Sequence, residues 1–104
     1  MITAQNIEEV KNRIVKNFNP EKIILFGSYA NGNASENSDL DLVVIQESEL
    51  PSYKRVRPIK KQLRGIGFPI DILVYTPQEV EYWKETSMAF ITQVMKDGKV
   101  LYGR

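Results

Sequence analysis

The pattern of apolar and polar residues along the chain predicts a small set of helices and strands. Four apolar residues recur at intervals of three and four and therefore share one face of a predicted opening helix: Ile7, Val10, Ile14 and Phe18. This helix is predicted to end at Asn19-Pro20. Three short apolar runs are typical of buried strands, at residues 22–26 (KIILF), 39–45 (DLDLVVI) and 69–75 (PIDILVY).

The segments between these strands predict a loop and further helices. The stretch GSYANGNASENS has the composition of a loop, with one helical turn around residues 29–31. Residues 52–64 carry apolar positions at helical spacing, and Pro58 is expected to kink this helix or delay its start. After the third strand, Thr76-Pro77-Gln78-Glu79 contains an N-cap, a proline at the first helical position and a glutamate three residues on, which together predict a helix start.

The chain is predicted to end in a helix and a short edge strand. The helix is expected from about Ser87 to Asp97-Gly98, with four side chains turned inward: Met88, Ile91, Val94 and Met95. Residues 99–102 would form the strand. The whole order, α-β-loop-β-α-β-α-α, predicts a single domain over residues 1–104 of the α/β (α+β) class, a small mixed β-sheet with helices packed on it.

Composition limits the chemistry available to this domain. The 104 residues include no Cys and no His, which excludes a disulfide framework, a thiolate nucleophile, a serine triad and a His-ligated zinc site. Lys and Arg number 14 against 13 Asp and Glu, so the net charge of +1 offers no general field for nucleic acid or an anionic membrane. No apolar run is long enough to span a bilayer, and we expect a cytoplasmic protein.

Three aspartates in the predicted strands are the candidate catalytic residues. Asp39 and Asp41 are predicted to point to the same face of one strand, about 7 Å apart. Their negative charges repel each other there, and each carboxylate loses contact with water. A hard divalent cation such as Mg²⁺ relieves both costs through its oxygen ligands. Asp71 lies in the apolar third strand, and if that strand lies beside the second, the three carboxylates converge on one point.

The residues after the first strand supply donors for phosphate. Gly27 permits a close backbone approach, and the Ser28 hydroxyl and the following amides can donate to phosphate oxygens. Phosphate donors beside a metal cluster indicate a nucleoside triphosphate, with two metal ions about 4 Å apart for an in-line displacement. The loop is not a P-loop, because no Gly-Lys-Ser/Thr follows, and its spacing does not fit a dinucleotide fingerprint.

These residues resemble a known signature from about Lys22 to the end of the chain. The stretch ILFGSYANGNASENSDLDLVVI is similar to that of the nucleotidyltransferase superfamily that includes DNA polymerase beta, and specifically to its minimal nucleotidyltransferase (MNT) branch; FPIDILVYTPQEVE resembles the branch's third-carboxylate strand and following helix. The resemblance implies that Asp39 and Asp41 bind two Mg²⁺ ions, and that Asp71 binds the catalytic ion and helps to deprotonate an acceptor hydroxyl. The nucleotide-binding residues that it implies are Gly27, Ser28 and Ser38.

One position departs from the family pattern. Many members have a basic residue where this chain has Asn31, so a charge that aids phosphate binding is missing. The branch also implies a partner, because its short members are encoded beside a helical HEPN protein and act as antitoxins that adenylylate a tyrosine of that protein. The function implied is therefore Mg²⁺-dependent transfer of AMP from ATP to a hydroxyl of a partner protein.

Other interpretations stay open from the sequence. An Asp-x-Asp taken alone is usually a solvated strand end. Residues 54–64 (KRVRPIKKQLR) hold six basic residues and no acid, which is typical of a solvated helix face, or of a patch for triphosphate, an acidic partner or RNA. Tyr82 and Trp83 are interpreted as packing residues or as a partner surface. The alternative functions are a non-catalytic antitoxin that occludes a helical partner, and a nucleotidyltransferase acting on RNA or a small molecule.

Overall fold

The computed structural model describes residues 1–104 and contains nine helices and strands. In chain order they are α1 (Ala4–Phe18), β1 (Lys22–Phe26), α2 (Ser28–Asn31), β2 (Leu40–Ile45), α3 (Ser52–Gln62), β3 (Ile70–Tyr75), α4 (Pro77–Trp83), α5 (Phe90–Asp97) and β4 (Lys99–Gly103). The predicted mixed α/β fold is confirmed, including the helical turn α2 and the strand β4. No helix has the length and apolar character that crossing a membrane requires.

The four strands form one sheet in the order β3-β2-β1-β4. Strand β1 runs antiparallel to both β2 and β4, whereas β2 and β3 are parallel. Parallel neighbours cannot be joined by a tight turn, and α3 provides the crossover between them. Strand β3 is therefore an edge strand whose only neighbour is β2.

The sheet buries different side chains on its two faces, because successive residues of a strand point in opposite directions. Leu42 of β2 belongs to a cluster of 11 buried residues that includes Ile59 of α3. Val43, the next residue, belongs to a cluster of five that includes Ile91 of α5. Full burial of each such side chain contributes about 1.5–3 kcal/mol to stability. By the same alternation, Asp41 lies on the α5 side of the sheet.

Two helix starts carry reciprocal side-chain caps. The predicted cap at Thr76 is confirmed: the Glu79 N–H donates to the Thr76 hydroxyl oxygen at 3.2 Å, and the Thr76 N–H donates to Glu79 Oε1 at 2.9 Å. Helix α1 begins in the same way, with Thr3 as N-cap and Asn6 as its reciprocal partner. Such a cap satisfies two backbone donors that a helix start otherwise leaves unpaired.

Several predicted boundaries were wrong by a few residues. Helix α5 begins at Phe90 rather than Ser87, because turns with hydrogen bonds from Thr86 to Trp83 and from Ala89 to Thr86 occupy the preceding segment. Met88 consequently lies outside the helix and is 80% exposed, not inward as predicted. Helix α3 continues through Pro58 from a start at residue 52, so the proline does not delay it.

Arg55 is a buried structural residue, although the sequence placed it among solvated basic residues. It is 9% exposed, and its guanidinium donates to the Leu50 carbonyl at 2.9 Å, the Val74 carbonyl at 3.4 Å and Glu79 Oε1 at 2.7 Å. These bonds join α3 to β3 and to the start of α4. A planar guanidinium with several donors suits such a site better than an ammonium group.

Replacing Arg55 with Met is expected to lower the free energy of unfolding by about 2–3 kcal/mol, because a carboxylate and two carbonyls lose their donor. Arg57→Met is the matched control, since Arg57 is exposed on the same helix, and a change within about 0.5 kcal/mol is expected there. Urea unfolding of both variants measures the difference. Equal stabilities would show that the Arg55 bonds do not hold α3 in place.

The Glu79 carboxylate makes stability depend on pH. The hydrogen bond from Arg55, together with those from Thr76, holds the pKa of Glu79 below its usual 4.5 against the opposing effect of burial. The folded state thus resists protonation, so this stabilisation is present above the usual pKa and is lost as pH falls through the lower folded value. We expect the stability difference between wild type and Glu79→Gln to shrink as pH falls from 4.5 towards the lower folded pKa. A pH-independent difference in urea unfolding would contradict this.

Candidate active site

Asp41 and Asp71 lie side by side at the same level of the sheet. Parallel pairing of β2 and β3 places their Cα atoms in register, and neighbouring strands lie about 4.8 Å apart. On its other side Asp41 is in register with Phe26, the last residue of β1. From the sequence, the convergence of these carboxylates was predicted only for the case in which β3 lies beside β2. The sheet has this strand order.

The environment of Asp41 disfavours its negative charge. Burial raises the pKa of Asp41, and the nearby charges of Asp71 and then Asp39 raise it further. Each of these effects destabilises the ionised form of Asp41, and no neighbouring group lowers its pKa. Carboxylate oxygens are the donors that Mg²⁺ prefers, so the donor set fits a divalent cation that would offset the repulsion.

Asp39 does not converge with the other two carboxylates as closely as predicted. It is exposed and precedes β2, which begins at Leu40 rather than at Asp39. As the side chains stand, no three acidic groups are gathered to hold a metal ion. The structure therefore brings Asp41 and Asp71 together and leaves Asp39 as a neighbour whose charge reaches Asp41.

Gly27 packs directly on the Asp41 carboxylate. A Cβ atom at this position would overlap Asp41 Oδ2 and approach Asp41 Cγ within 3.2 Å. The backbone φ of Gly27 is +73°, a conformation that other residues rarely adopt. Both observations require glycine here, and they explain the close approach of the loop to the site that the sequence predicted for Gly27.

Helix α2 is held in place by a long-range hydrogen bond that sequence reasoning missed. The Ile2 N–H donates to the Tyr29 hydroxyl oxygen at 3.0 Å, and Tyr29 also packs against the larger buried cluster. Ser28, next to Tyr29, makes no side-chain hydrogen bond within the protein and is half-buried. The Ser28 hydroxyl is therefore free for a ligand, which agrees with its predicted role.

Ser38 and Asn31 shape the loops beside the site. The Ser38 hydroxyl oxygen accepts a hydrogen bond from the Ser35 N–H at 2.9 Å. Asn31 Oδ1 accepts from the Asn33 N–H at 3.0 Å, just after α2. Each side chain thus has a structural contact of its own, and nucleotide binding by Ser38 stays a prediction.

The basic residues of α3 do not line the carboxylate site. Ile59 and Leu63 join α3 to the cluster on the opposite face of the sheet from Asp41. Five basic residues of the segment are exposed: Lys54, Arg57, Lys60, Lys61 and Arg64. Their location does not favour the triphosphate interpretation and leaves a solvated face or a contact with another macromolecule.

Tyr82 and Trp83 are not core residues. They are 76% and 40% exposed, and their rings pack against each other edge to face with centroids 5.0 Å apart. The interpretation as packing residues was wrong for Tyr82, whereas Trp83 is partly covered and lies beside Tyr75 and Phe90.

Comparison with known protein families identifies the class of protein to which the chain belongs. The family described as "Polymerase beta, Nucleotidyltransferase" matches residues 8–104, and the chain belongs to this family. The chain is 32% identical over 79 residues to the protein adenylyltransferase MntA of Thermococcus cleftensis, covering 71% of this chain and 79% of that protein.

Two solved structures share the fold. A Sulfolobus solfataricus protein described as a "putative nucleotidyltransferase" superposes with a TM-score of 0.68 at 21% identity, covering 96% of this chain and 79% of that one. A toxin-antitoxin structure with AMP-PNP superposes with a TM-score of 0.59 at 23% identity, covering 96% of this chain and 73% of that one. The nucleotidyltransferase fold predicted from the sequence is confirmed.

Proposed function

We propose that this protein is an Mg²⁺-dependent nucleotidyltransferase that moves AMP from ATP onto a hydroxyl of a partner protein. The observation that carries the proposal is the in-register pair Asp41 and Asp71, with Gly27 packed against the Asp41 carboxylate. The similarity to a protein adenylyltransferase supports the choice of AMP and of a protein acceptor. A cytoplasmic location, where ATP and Mg²⁺ are abundant, is part of the proposal.

The three aspartates would hold the metal ions. Asp39, Asp41 and Asp71 offer only carboxylate oxygens, and the pKa of Asp41 is raised by burial and then by the negative charges of Asp71 and Asp39. Bound Mg²⁺ supplies charge neutralisation for the triphosphate and activation of the attacking hydroxyl. Asp39 would join them from the residue before β2, where its side chain is exposed and its charge already reaches Asp41.

The residues of the chain bind ATP and direct the transfer. Gly27 and the free hydroxyl of Ser28 hold the triphosphate, with Ser38 beside them. Asp71 accepts the proton of the acceptor hydroxyl, whose oxygen forms a bond to the α-phosphorus. The bond between that phosphorus and the bridging oxygen to the β-phosphate breaks, and pyrophosphate leaves with its electron pair.

The proposed acceptor is a toxin partner of helical, HEPN type. The support is that one relative is named MntA and that one structure of the same fold is a toxin-antitoxin complex containing AMP-PNP. In this proposal, the protein silences the partner by attaching AMP to one of its hydroxyl groups. Binding of nucleic acid is not required for this activity, in agreement with the net charge of +1.

Label transfer tests the proposed chemistry. The protein is incubated with Mg²⁺ and a lysate of the source cells, with ATP labelled at the α-phosphate in one sample and at the γ-phosphate in another. We expect only the α-label to become fixed to a protein, and to be absent with an Asp39→Asn, Asp41→Asn double variant. Transfer of the γ-label would instead indicate a kinase, and transfer that survives in the double variant would contradict the assigned site.

Occlusion of the partner without chemistry is the second candidate function. The observation that favours it is the exposed pair Tyr82 and Trp83, since aromatic side chains anchor many protein interfaces. Neutralisation of a co-expressed partner distinguishes the two functions. Occlusion predicts that Trp83→Ala abolishes neutralisation and that the double aspartate variant retains it, whereas catalysis predicts that the aspartate variant loses it.

A further inference from the structure

A cleft of about 350 Å³ lies between α2 and α5, beside the carboxylates. Gly27, which packs on Asp41, also lines this cleft. The cleft is therefore continuous with the position proposed for the triphosphate. Its volume lies within the range of about 300–1,000 Å³ that small-molecule sites occupy.

The end of the cleft nearest the carboxylates has an aromatic wall. Phe26, the residue in register with Asp41, packs edge to face against Phe90 with ring centroids 5.3 Å apart. Phe90 begins α5 and is 46% exposed, so much of its surface is accessible to a ligand. An exposed aromatic ring beside a phosphate site offers a surface on which a nucleobase can stack.

Polar side chains line the cleft farther along α5. Asp97 makes no salt bridge or side-chain hydrogen bond, and the only side-chain hydrogen bond of Gln93 runs from its amide nitrogen to the Met88 sulfur, at 3.8 Å. Asn31 uses its oxygen for Asn33 and keeps its amino group free. The cleft thus presents free acceptors on Asp97 and Gln93 and a free donor on Asn31.

The spacing of these groups matches a nucleoside. Phe90 and Asp97 are seven residues apart on one helix, which corresponds to about 10 Å along its axis. Phe26 contacts Phe90 at the end near Asp41, whereas Gly98 packs on Ile24 and Leu25, farther back along β1. The carboxylate of Asp97 therefore lies at the end of the cleft away from the triphosphate, where the phosphate groups repel it least.

We propose that the cleft between α2 and α5 binds the adenine ring of ATP, with Phe90 as the stacking surface and Asp97 as the acceptor for the exocyclic amino group. Adenine carries an amino donor next to ring-nitrogen acceptors, and the free acceptors and the donor of the cleft complement that edge. Uracil and the six-position of guanine present an oxygen where this carboxylate requires a donor, and cytosine, which shares the amino group, offers a single ring to stack on Phe90. This assignment rests on the proposed use of ATP.

Equilibrium binding of nucleotides tests the cleft without requiring catalysis. Dissociation constants are measured by calorimetry in Mg²⁺ for ATP, GTP, CTP and inorganic tripolyphosphate, with wild type, Phe90→Ala, Asp97→Ala and the control Tyr82→Ala. Loss of a stacking ring is expected to weaken ATP binding by about tenfold. We expect Asp97→Ala to weaken ATP several-fold, both variants to bind tripolyphosphate as wild type does, and Tyr82→Ala to bind every ligand normally.

The outcomes separate the cleft from the proposed function. Unchanged ATP binding in both cleft variants, or an equal loss for ATP and tripolyphosphate, would overturn the cleft assignment. Wild-type affinity for GTP or CTP equal to that for ATP would overturn the choice of adenine. If the variants weaken ATP as expected but wild type transfers no AMP, the cleft stands and the proposed function fails. If AMP is transferred while the cleft variants bind ATP normally, the proposed function stands and the cleft assignment fails.

Discussion

Asp41→Asn is expected to lower the rate of AMP transfer by about a thousandfold, comparable to the loss of a group that stabilises charge in a transition state. The substitution keeps the shape of the side chain and removes the charge proposed to bind the metal. It also removes repulsion from Asp71 and the cost of burying a charge, the two main causes of the raised pKa of Asp41. The variant should therefore fold at least as stably as wild type, which thermal unfolding measures alongside the transfer rate.

Glu49→Gln is the matched control for this loss. Glu49 is an exposed carboxylate beyond the far end of β2, and its replacement is expected to leave the rate of transfer unchanged. A rate for Asp41→Asn within a few-fold of the Glu49→Gln rate would place the chemistry elsewhere on the molecule. Loss of both activity and folded structure in Asp41→Asn would contradict the expected relief of repulsion.

Gly27→Ala is expected to reduce transfer by about a hundredfold or more, because a displacement of about 1 Å in a reacting group has that effect. The added Cβ atom would overlap the Asp41 carboxylate and displace it from Asp71. It would also strain the backbone, since Gly27 combines a φ of 73° with a ψ of −154°. Transfer rates and urea unfolding, both measured for the purified variant, separate the effect on the site from the effect on stability.

Gly32→Ala separates backbone strain from displacement of the carboxylate. Gly32 has a φ of +82° and nothing within 4 Å of an added Cβ. The left-handed backbone alone is expected to cost about 1–2 kcal/mol of stability, with the transfer rate kept within a few-fold of wild type. Similar activities for the two alanine variants would show that the packing of Gly27 on Asp41 is not needed for function.

Much of the fold could be predicted because local sequence patterns govern it. The spacing of Ile7, Val10 and Ile14 predicts α1, and the cap at Thr76 predicts the start of α4. Period-two alternation also assigns Asp41 and Val43 to the opposite side of β2 from Leu42, as the structure shows. These features depend on residues close together in the chain, where propensity and pattern act directly.

The rest depends on contacts between distant segments. The register of Asp41 with Asp71 follows from parallel pairing of β2 and β3, which are joined by a crossover helix. The burial of Arg55 depends on carbonyl and carboxylate acceptors that residues 50, 74 and 79 bring to it. Its spacing of four residues from Ile59 puts Arg55 on the buried face of α3, but no local pattern supplies the acceptors that a buried guanidinium requires.

The cleft also could not be predicted from the sequence. It combines the end of β1 and the short helix α2 with one face of α5, and α5 itself was predicted to begin three residues too early. Phe90 and Asp97 are ordinary helix residues by pattern. Only the packing of α5 against the sheet, through Ile91 and Val94, brings their side chains to the same opening as Gly27.

The most direct test of AMP transfer to a protein is to map the modified residue on the acceptor. The protein that takes up α-label is purified, digested and sequenced by tandem mass spectrometry, with material from the Asp41→Asn reaction as the blank. We predict a single tyrosine, serine or threonine of a partner protein that carries AMP through its hydroxyl oxygen, with no such peptide in the blank. Label found only on RNA or a small molecule, or an AMP-bearing peptide that also forms with Asp41→Asn, would contradict the proposed function.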